Sequence, residues 1–198
     1  MLTLPFKQGD RVIELGGGDN PLIRPNADVR ASEFVDLVVD FNSPLPIPNT
    51  SFDGIYSSYS IEHISWRKIK LFISEMCRIL VPGGVAFVIT ANLFEQCKSM
   101  IKDDWAEDDV CRLFGDQNYK GDDWVSNAHY CGFSPNYAMK LFKEAGFSSV
   151  LIIPHPQCKT DMIIEARKPM GLDTRTWTTE DRKAIFNSKY FDGTGKYG

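Results

Sequence analysis

Ten residues near the start of the chain, Val12 to Pro21 (VIELGGGDNP), combine a short apolar run with three consecutive glycines and two carboxylates. Val12, Ile13 and Leu15 read as a strand, and Gly16, Gly17 and Gly18 permit a turn with positive φ and a backbone that a ligand can touch directly. A dinucleotide fingerprint, Gly-x-Gly-x-x-Gly, requires glycine where Pro21 stands, and it opens a helix whose N-terminus holds an anionic pyrophosphate. Glu14 and Asp19 flank the glycines and would repel that anion. They suit a ligand that carries ammonium and sulfonium charge. A tight turn between strand and helix with no ligand is the plainer alternative.

Two further carboxylates, Asp28 and Asp40, fall near the ends of apolar runs, with Glu33 as a competitor to Asp28 if the second strand ends later. Either acid is otherwise a loop cap. Histidine is the usual general base near neutral pH, and the chain has three. His63 directly follows a predicted strand, His129 lies in a predicted insertion, and His155 sits between two prolines as a turn residue. His63 and His129 are therefore the candidate catalytic bases, against the alternative of ordinary packing. Tyr59 and Tyr130 are candidates to line an acceptor pocket.

The elements that must hold these residues follow from periodicity and punctuation. After the glycines, Pro21 and Pro25 are too close for a long helix, so the first crossover is mostly loop. Short strands are expected at Ala27 to Arg30, Phe34 to Phe41 and Phe52 to Tyr59. Ile61 to Val81 reads as an amphipathic helix stopped by Pro82-Gly83-Gly84, and Val85 to Thr90 as a strand buried on both faces. Residues 92–130 break this alternation and carry eight acidic against three basic residues between Lys102 and Asp123, so they read as an insertion with a solvated face. Ser134-Pro135 opens a helix that Gly146 closes. Val150 to Ile153 and Met162 to Ala166 are two last strands. Residues 169–198 form a polar extension with a short helix from Thr179 to Tyr190.

The 198 residues are 43% apolar with a net charge of -4, which fits one α/β domain and gives no basic surface for nucleic acid or an anionic membrane. The five cysteines are odd in number and contain no Cys-x-x-Cys pair, so reduced thiols and no metal are expected. The first ten residues (MLTLPFKQGD) carry neither a basic n-region nor a long apolar core, which predicts a cytoplasmic location.

Four motifs in order, Glu14 to Gly18 (ELGGG), Val35 to Phe41 (VDLVVDF), Ser51 to Ser58 (SFDGIYSS) and Arg78 to Gly84 (RILVPGG), resemble the class I S-adenosylmethionine (SAM)-dependent methyltransferases over most of residues 12–168. Within them the chain looks like a compact group with a short first crossover, several of whose members are associated with modification of saccharides or other small molecules. Leu113 to Tyr119 and Asn127 to Phe133 resemble that group's insertion, on the substrate side.

The resemblance implies a Rossmann-like α/β sandwich. Its seven-stranded, mostly parallel sheet has order 3-2-1-4-5-7-6, with strand seven antiparallel and helices on both faces. It also implies SAM as cofactor, S-adenosylhomocysteine as product and a small-molecule or saccharide acceptor, methylated at oxygen. The cofactor would be held by Glu14, Gly16, Gly17, Gly18, Asp19 and Asn20 at the methionine part, Asp28 at the ribose, Asp40 and Phe41 at the adenine, and Ser57 and Ser58 after strand four. DNA amino-methyltransferases of this superfamily carry Asp/Asn-Pro-Pro-aromatic where this chain has Tyr56-Ser57-Ser58-Tyr59, and no Pro-Cys nucleophile is present. A non-catalytic SAM-binding protein and a dinucleotide oxidoreductase of the same fold are the rival expectations. A homodimer is compatible with the sequence.

Overall fold

Seven strands, β1 (Val12–Leu15), β2 (Asn26–Asp28), β3 (Leu37–Val38), β4 (Phe52–Ser58), β5 (Leu80–Ala91), β6 (Ser149–Pro154) and β7 (Asp161–Arg167), form one sheet in the order 3-2-1-4-5-7-6. This is a computed structural model, which describes residues 2–117, 124–171 and 179–186. β7 runs antiparallel to β5 and β6, and the other neighbours pair in parallel. The expected topology is therefore present.

Alternation along the strands decides the layers. Ile13, Leu15, Ile55, Ala86, Val88 and Ile164 face the larger core, which α1 (Ile69–Ile79) and α5 (Pro135–Glu144) cover with Phe72, Ile73, Met76, Leu141 and Phe142. Val12, Tyr56, Val85, Phe87, Ile89 and Ile163 face a smaller core that includes Phe6 and Ile23, with Leu2 and Leu4 packed against it. The N-terminal segment thus supplies apolar cover on the side where the short first crossover contributes loop.

Several boundaries differ from the expected ones, each for a backbone reason. The single helix expected over 61–81 is a 3-10 turn at Ile61–His63 followed by α1. Between them the N–H of Ser65 goes to the Asn42 side chain (3.3 Å) and that of Trp66 to the Tyr130 carbonyl (3.2 Å), so the i→i−4 ladder does not pass through. The helix also ends before Pro82. Leu80 already pairs with Phe52, and Pro82-Gly83-Gly84 lies in the register shift between that pair and Gly54–Val85. β2 starts one residue early, at Asn26, and β3 shrinks to two residues.

The insertion folds as α2 (Leu93–Asp103), α3 (Glu107–Phe114) and the single turn α4 (Trp124–Asn127). Asn118 and Tyr119 of the insertion motif lie outside the described residues. α5 carries the expected caps, the Ser134 side chain accepting from Tyr137 N (3.3 Å) and Gly146 at φ 103° closing the helix.

The C-terminal extension forms α6 (Thr179–Ile185), and residues 187–190 of the expected helix lie outside the described residues. Phe186 just after α6 is 1% exposed and meets Phe52 edge-on with ring centroids 5.9 Å apart. Phe186→Ala should therefore cost ~3–5 kcal/mol of stability in urea unfolding, the usual loss for an aromatic core truncation. A change within about 0.5 kcal/mol, as for a surface site, would show that the extension does not pack on the core.

Candidate functional site

The glycine loop is built from below. Gly16 and Gly18 adopt φ of 85° and 54°, values that favour glycine. The backbone N–H of Gly17 donates to Asn26 Oδ1 (3.0 Å), and Asn26 Nδ2 donates to the carbonyls of Gly18 and Phe34 (both 3.0 Å). Gly18 N–H donates to Asp28 Oδ2 (3.0 Å). A Cβ on Gly17 would meet Asn26 Oδ1 at 2.7 Å and Glu14 Cδ at 2.8 Å, so the loop and its supports are in close contact. Asn26 is fully buried and is the residue that sequence reading missed. Its only signal was a polar residue at the start of an apolar strand.

Glu14 does not reach the ligand side. Its carboxylate is buried and accepts from Ile23 N (2.7 Å), which ties the far end of the loop back to β1. Burial pushes this carboxyl up to about 7, against the lowering effect of the Ile23 and Leu22 N–H groups.

Above the loop, at the C-terminal ends of β1, β2 and β4, opens a cavity of about 1030 Å³. Its wall contains Gly16, Gly17, Gly18, Asp19, Asn20, Asp28, Asp40, Phe41 and His63 from the expected site residues and the two expected pocket tyrosines, Tyr59 and Tyr130, together with Arg30, Ser60 and Lys68. Asp28, rather than Glu33, is the acid of β2 on this wall. Asp28 Oδ1 also accepts from Arg30 N (3.0 Å). Asp40 is exposed at the rim and is held below its ordinary range, chiefly by the Asn42 N–H and then the Ser43 hydroxyl. Phe41 is buried with its ring edge-on to Phe72 at 5.0 Å.

Ser57 and Ser58 are not on the wall. Ser57 is buried, its hydroxyl donating to Leu15 O (2.9 Å) and locking β4 to β1, while Ser58 bonds to Tyr56. Ser60 takes the place next to the loop, so close to Gly16 that any Cβ there would overlap the Ser60 side chain. Tyr59 has φ 48°, an unusual value for a residue with a side chain, and its hydroxyl donates to Asp161 Oδ2 (2.5 Å) at the start of β7.

The two candidate bases stand together. His63 and His129 meet edge-on with ring centroids 5.0 Å apart, His63 on the large cavity and His129 on a second one behind it. His63 Nδ1 lies 3.1 Å from the Ala128 carbonyl, which fixes the proton on Nδ1. Burial holds both imidazoles below the ordinary histidine value; for His129 the neighbouring His63 adds to this, and backbone carbonyls oppose it in both. His155 lies apart, accepting at Nδ1 from the N–H groups of Gln157 and Cys158 in the β6–β7 turn. Among the described residues no helix is long and apolar enough to cross a membrane, and no cluster of ligands for a metal ion is present.

Glu14 gives a pH test of the loop support. Its folded pKa of about 7 lies above the ordinary carboxylate value of ~4.3, so its contribution is complete below the latter and lost as pH rises through the former. Glu14→Gln keeps an acceptor for Ile23 N–H and removes the titration. The melting temperature of the variant should gain on the parent as pH rises from about 5 to 8; a difference independent of pH would contradict the buried carboxyl.

Residues 6–88 match the methyltransferase domain family model. No curated protein sequence matches the chain significantly. Solved structures similar to it include a SAM-dependent methyltransferase from Thermotoga maritima, with TM-score 0.55 and 19% identity over 83% of this chain and 84% of that one. A SAM-dependent methyltransferase from Archaeoglobus fulgidus has TM-score 0.58 and 13% identity over 80% and 86%, and the [4+2]-cyclase SpnF has TM-score 0.51 and 18% identity over 83% and 76%. The 3-2-1-4-5-7-6 sheet and the likeness to these structures give the chain the fold of the class I SAM-dependent methyltransferases, with the methyltransferase domain match confined to residues 6–88.

Proposed function

We propose that the chain transfers a methyl group from SAM to a hydroxyl oxygen of a small-molecule or saccharide acceptor. One observation carries this reading: the large cavity gathers Gly16–Gly18, Asp28, Asp40, Tyr59 and His63 around one space. The side-chain-free loop lets the methionine part of a ligand lie against backbone. Asp19 and Asn20 border it. Asp28 faces the position for ribose hydroxyls with lone pairs beyond those that accept from Gly18 and Arg30. Asp40 and Phe41 stand at the adenine end.

Bound SAM supplies an electrophilic methyl on a sulfonium that leaves as a neutral thioether. The chain's residues then have to align the acceptor oxygen, exclude water and receive one proton. With the Nδ1 proton held against Ala128 O, His63 offers Nε2 as the basic nitrogen. Its depressed pKa keeps it neutral at pH 7, as a base must be. His129 lies behind it as the second candidate. Nε2 of His63 would receive the acceptor's hydroxyl proton as that oxygen takes the methyl group. The insertion over 92–130 serves as the acceptor side.

Asp28→Ala and Asp40→Ala should each weaken SAM binding by ~1–3 kcal/mol, measured by calorimetry; unchanged affinity in both would overturn the assignment of the adenosine half. Methyl transfer across a panel of metabolites and sugar nucleotides tests the reaction, and silence throughout would favour the non-catalytic rival. On an active acceptor, His63→Gln should lower kcat by about 10²–10⁴ with SAM affinity unchanged. An unaltered kcat would remove His63 as the base.

A further inference from the structure

Behind the cofactor cavity lies a second one of about 370 Å³. Its deep residues are Glu62 (3% exposed), Thr90 and Gln96, polar side chains that an apolar core does not require. The Thr90 hydroxyl donates to Glu62 Oε2 (3.0 Å). Five aromatic rings complete the wall: Phe133 is fully buried, whereas Trp66, Phe114, Tyr130 and Tyr137 are between 37% and 63% exposed and form the mouth. No lysine or arginine is among the lining residues.

A carboxylate at the bottom of an aromatic shaft selects charge by sign. The faces of the rings attract a cation and disfavour an anion, and a buried carboxylate gains most from a partner that arrives with its own positive charge. The cavity is large enough for a ligand of about ten to fifteen heavy atoms and too small for a polymer chain. We propose that this second cavity binds a small organic ammonium, its cationic end on the Glu62 carboxylate and its aromatic or aliphatic body between the rings of Trp66, Phe114, Phe133 and Tyr137. Tyr130 borders both cavities, and the His63–His129 pair joins their walls, so the bound molecule lies next to the SAM site. A hydroxyl on its body would be the methyl acceptor only under the function proposed above; binding at the ammonium end does not rest on that function.

The groups that face Glu62 are Thr90 of β5, Asp161 of β7, Tyr59, His129 of the insertion and Cys131 just after it. Burial pushes the Glu62 carboxyl up to about 7 and Asp161 adds to the rise, so an ammonium ligand binds more tightly as pH rises through that value. Titration of the full chain, saturated with S-adenosylhomocysteine, with phenethylamine and its neutral and anionic relatives 3-phenylpropanol and 3-phenylpropionate tests this. The amine should bind about tenfold or more tighter than the alcohol, and the acid should not bind. Amine affinity should rise between about pH 6 and 8, and Glu62→Gln should lose about tenfold at pH 8 while its affinity for S-adenosylhomocysteine stays unchanged.

Trp66→Ala, at the exposed mouth, should weaken the amine without loss of stability. Equal binding of amine and alcohol, or amine binding insensitive to Glu62→Gln, would overturn the inference. Phenethylamine carries no hydroxyl and so reports the site alone; failure of methyl transfer to hydroxyl acceptors would overturn the function proposed above and leave this binding result standing.

Discussion

The site depends on a buried amide side chain holding a bare backbone in place. Asn26 accepts from Gly17 N–H and donates to the Gly18 and Phe34 carbonyls, so both ends of the glycine turn are tied to the start of β2. Its own N–H donates to Asp36 Oδ2 (2.7 Å), whose other oxygen meets Arg24 (2.5 Å). Polar groups this deep are costly unless every partner is present, and here the chain of partners runs from the loop through β2 to the segment before β3. The loop needs this because a short crossover of prolines offers no long helix to brace it. What the arrangement yields is a rigid, side-chain-free surface, which a ligand can approach without first ordering it.

Charge organises the space above. The large cavity carries Asp19, Asp28 and Asp40, opposed by Arg30, Arg67 and Lys68, a balance suited to a cofactor with both carboxylate and cationic groups. Glu14 and Glu62, by contrast, are buried away from cations, and burial raises both carboxyls to about 7. One braces the loop and the other closes the second cavity. The insertion is anchored between them by backbone: Tyr130 and Cys131 donate to the Glu62 carbonyl (2.8 and 3.1 Å), and Trp66 donates to Tyr130 O. The strained backbone of Tyr59 and the His63–His129 contact lie at this junction, where β4 delivers its last residues towards both spaces.

Much of this was legible in the residues. The order of the sheet followed from the resemblance, since periodicity carries no information on strand neighbours, and the glycines, Asp28, Asp40 and His63, which line the large cavity, each stand at or just after the end of an apolar run. What escaped reading was long-range. Glu14 and Ser57 have residue types suited to ligand contact, yet their partners are Ile23 and Leu15, and no local pattern reveals that. Asn26, Asp36 and Asp161 likewise acquire their roles only when distant strands meet. The break at Ser65-Trp66 was hidden because Tyr130, 64 residues further on, supplies the carbonyl that competes with the helix. Phe186 was read as part of a polar tail because nothing local to it shows that its ring meets Phe52, 134 residues earlier.

The Asn26-supported glycine loop is proposed as a SAM site and not a dinucleotide site. Calorimetric titration of the full chain with SAM, S-adenosylhomocysteine and NAD measures this directly. One-to-one binding of the first two and no heat from NAD is the expected result; preferential binding of NAD would contradict a SAM site.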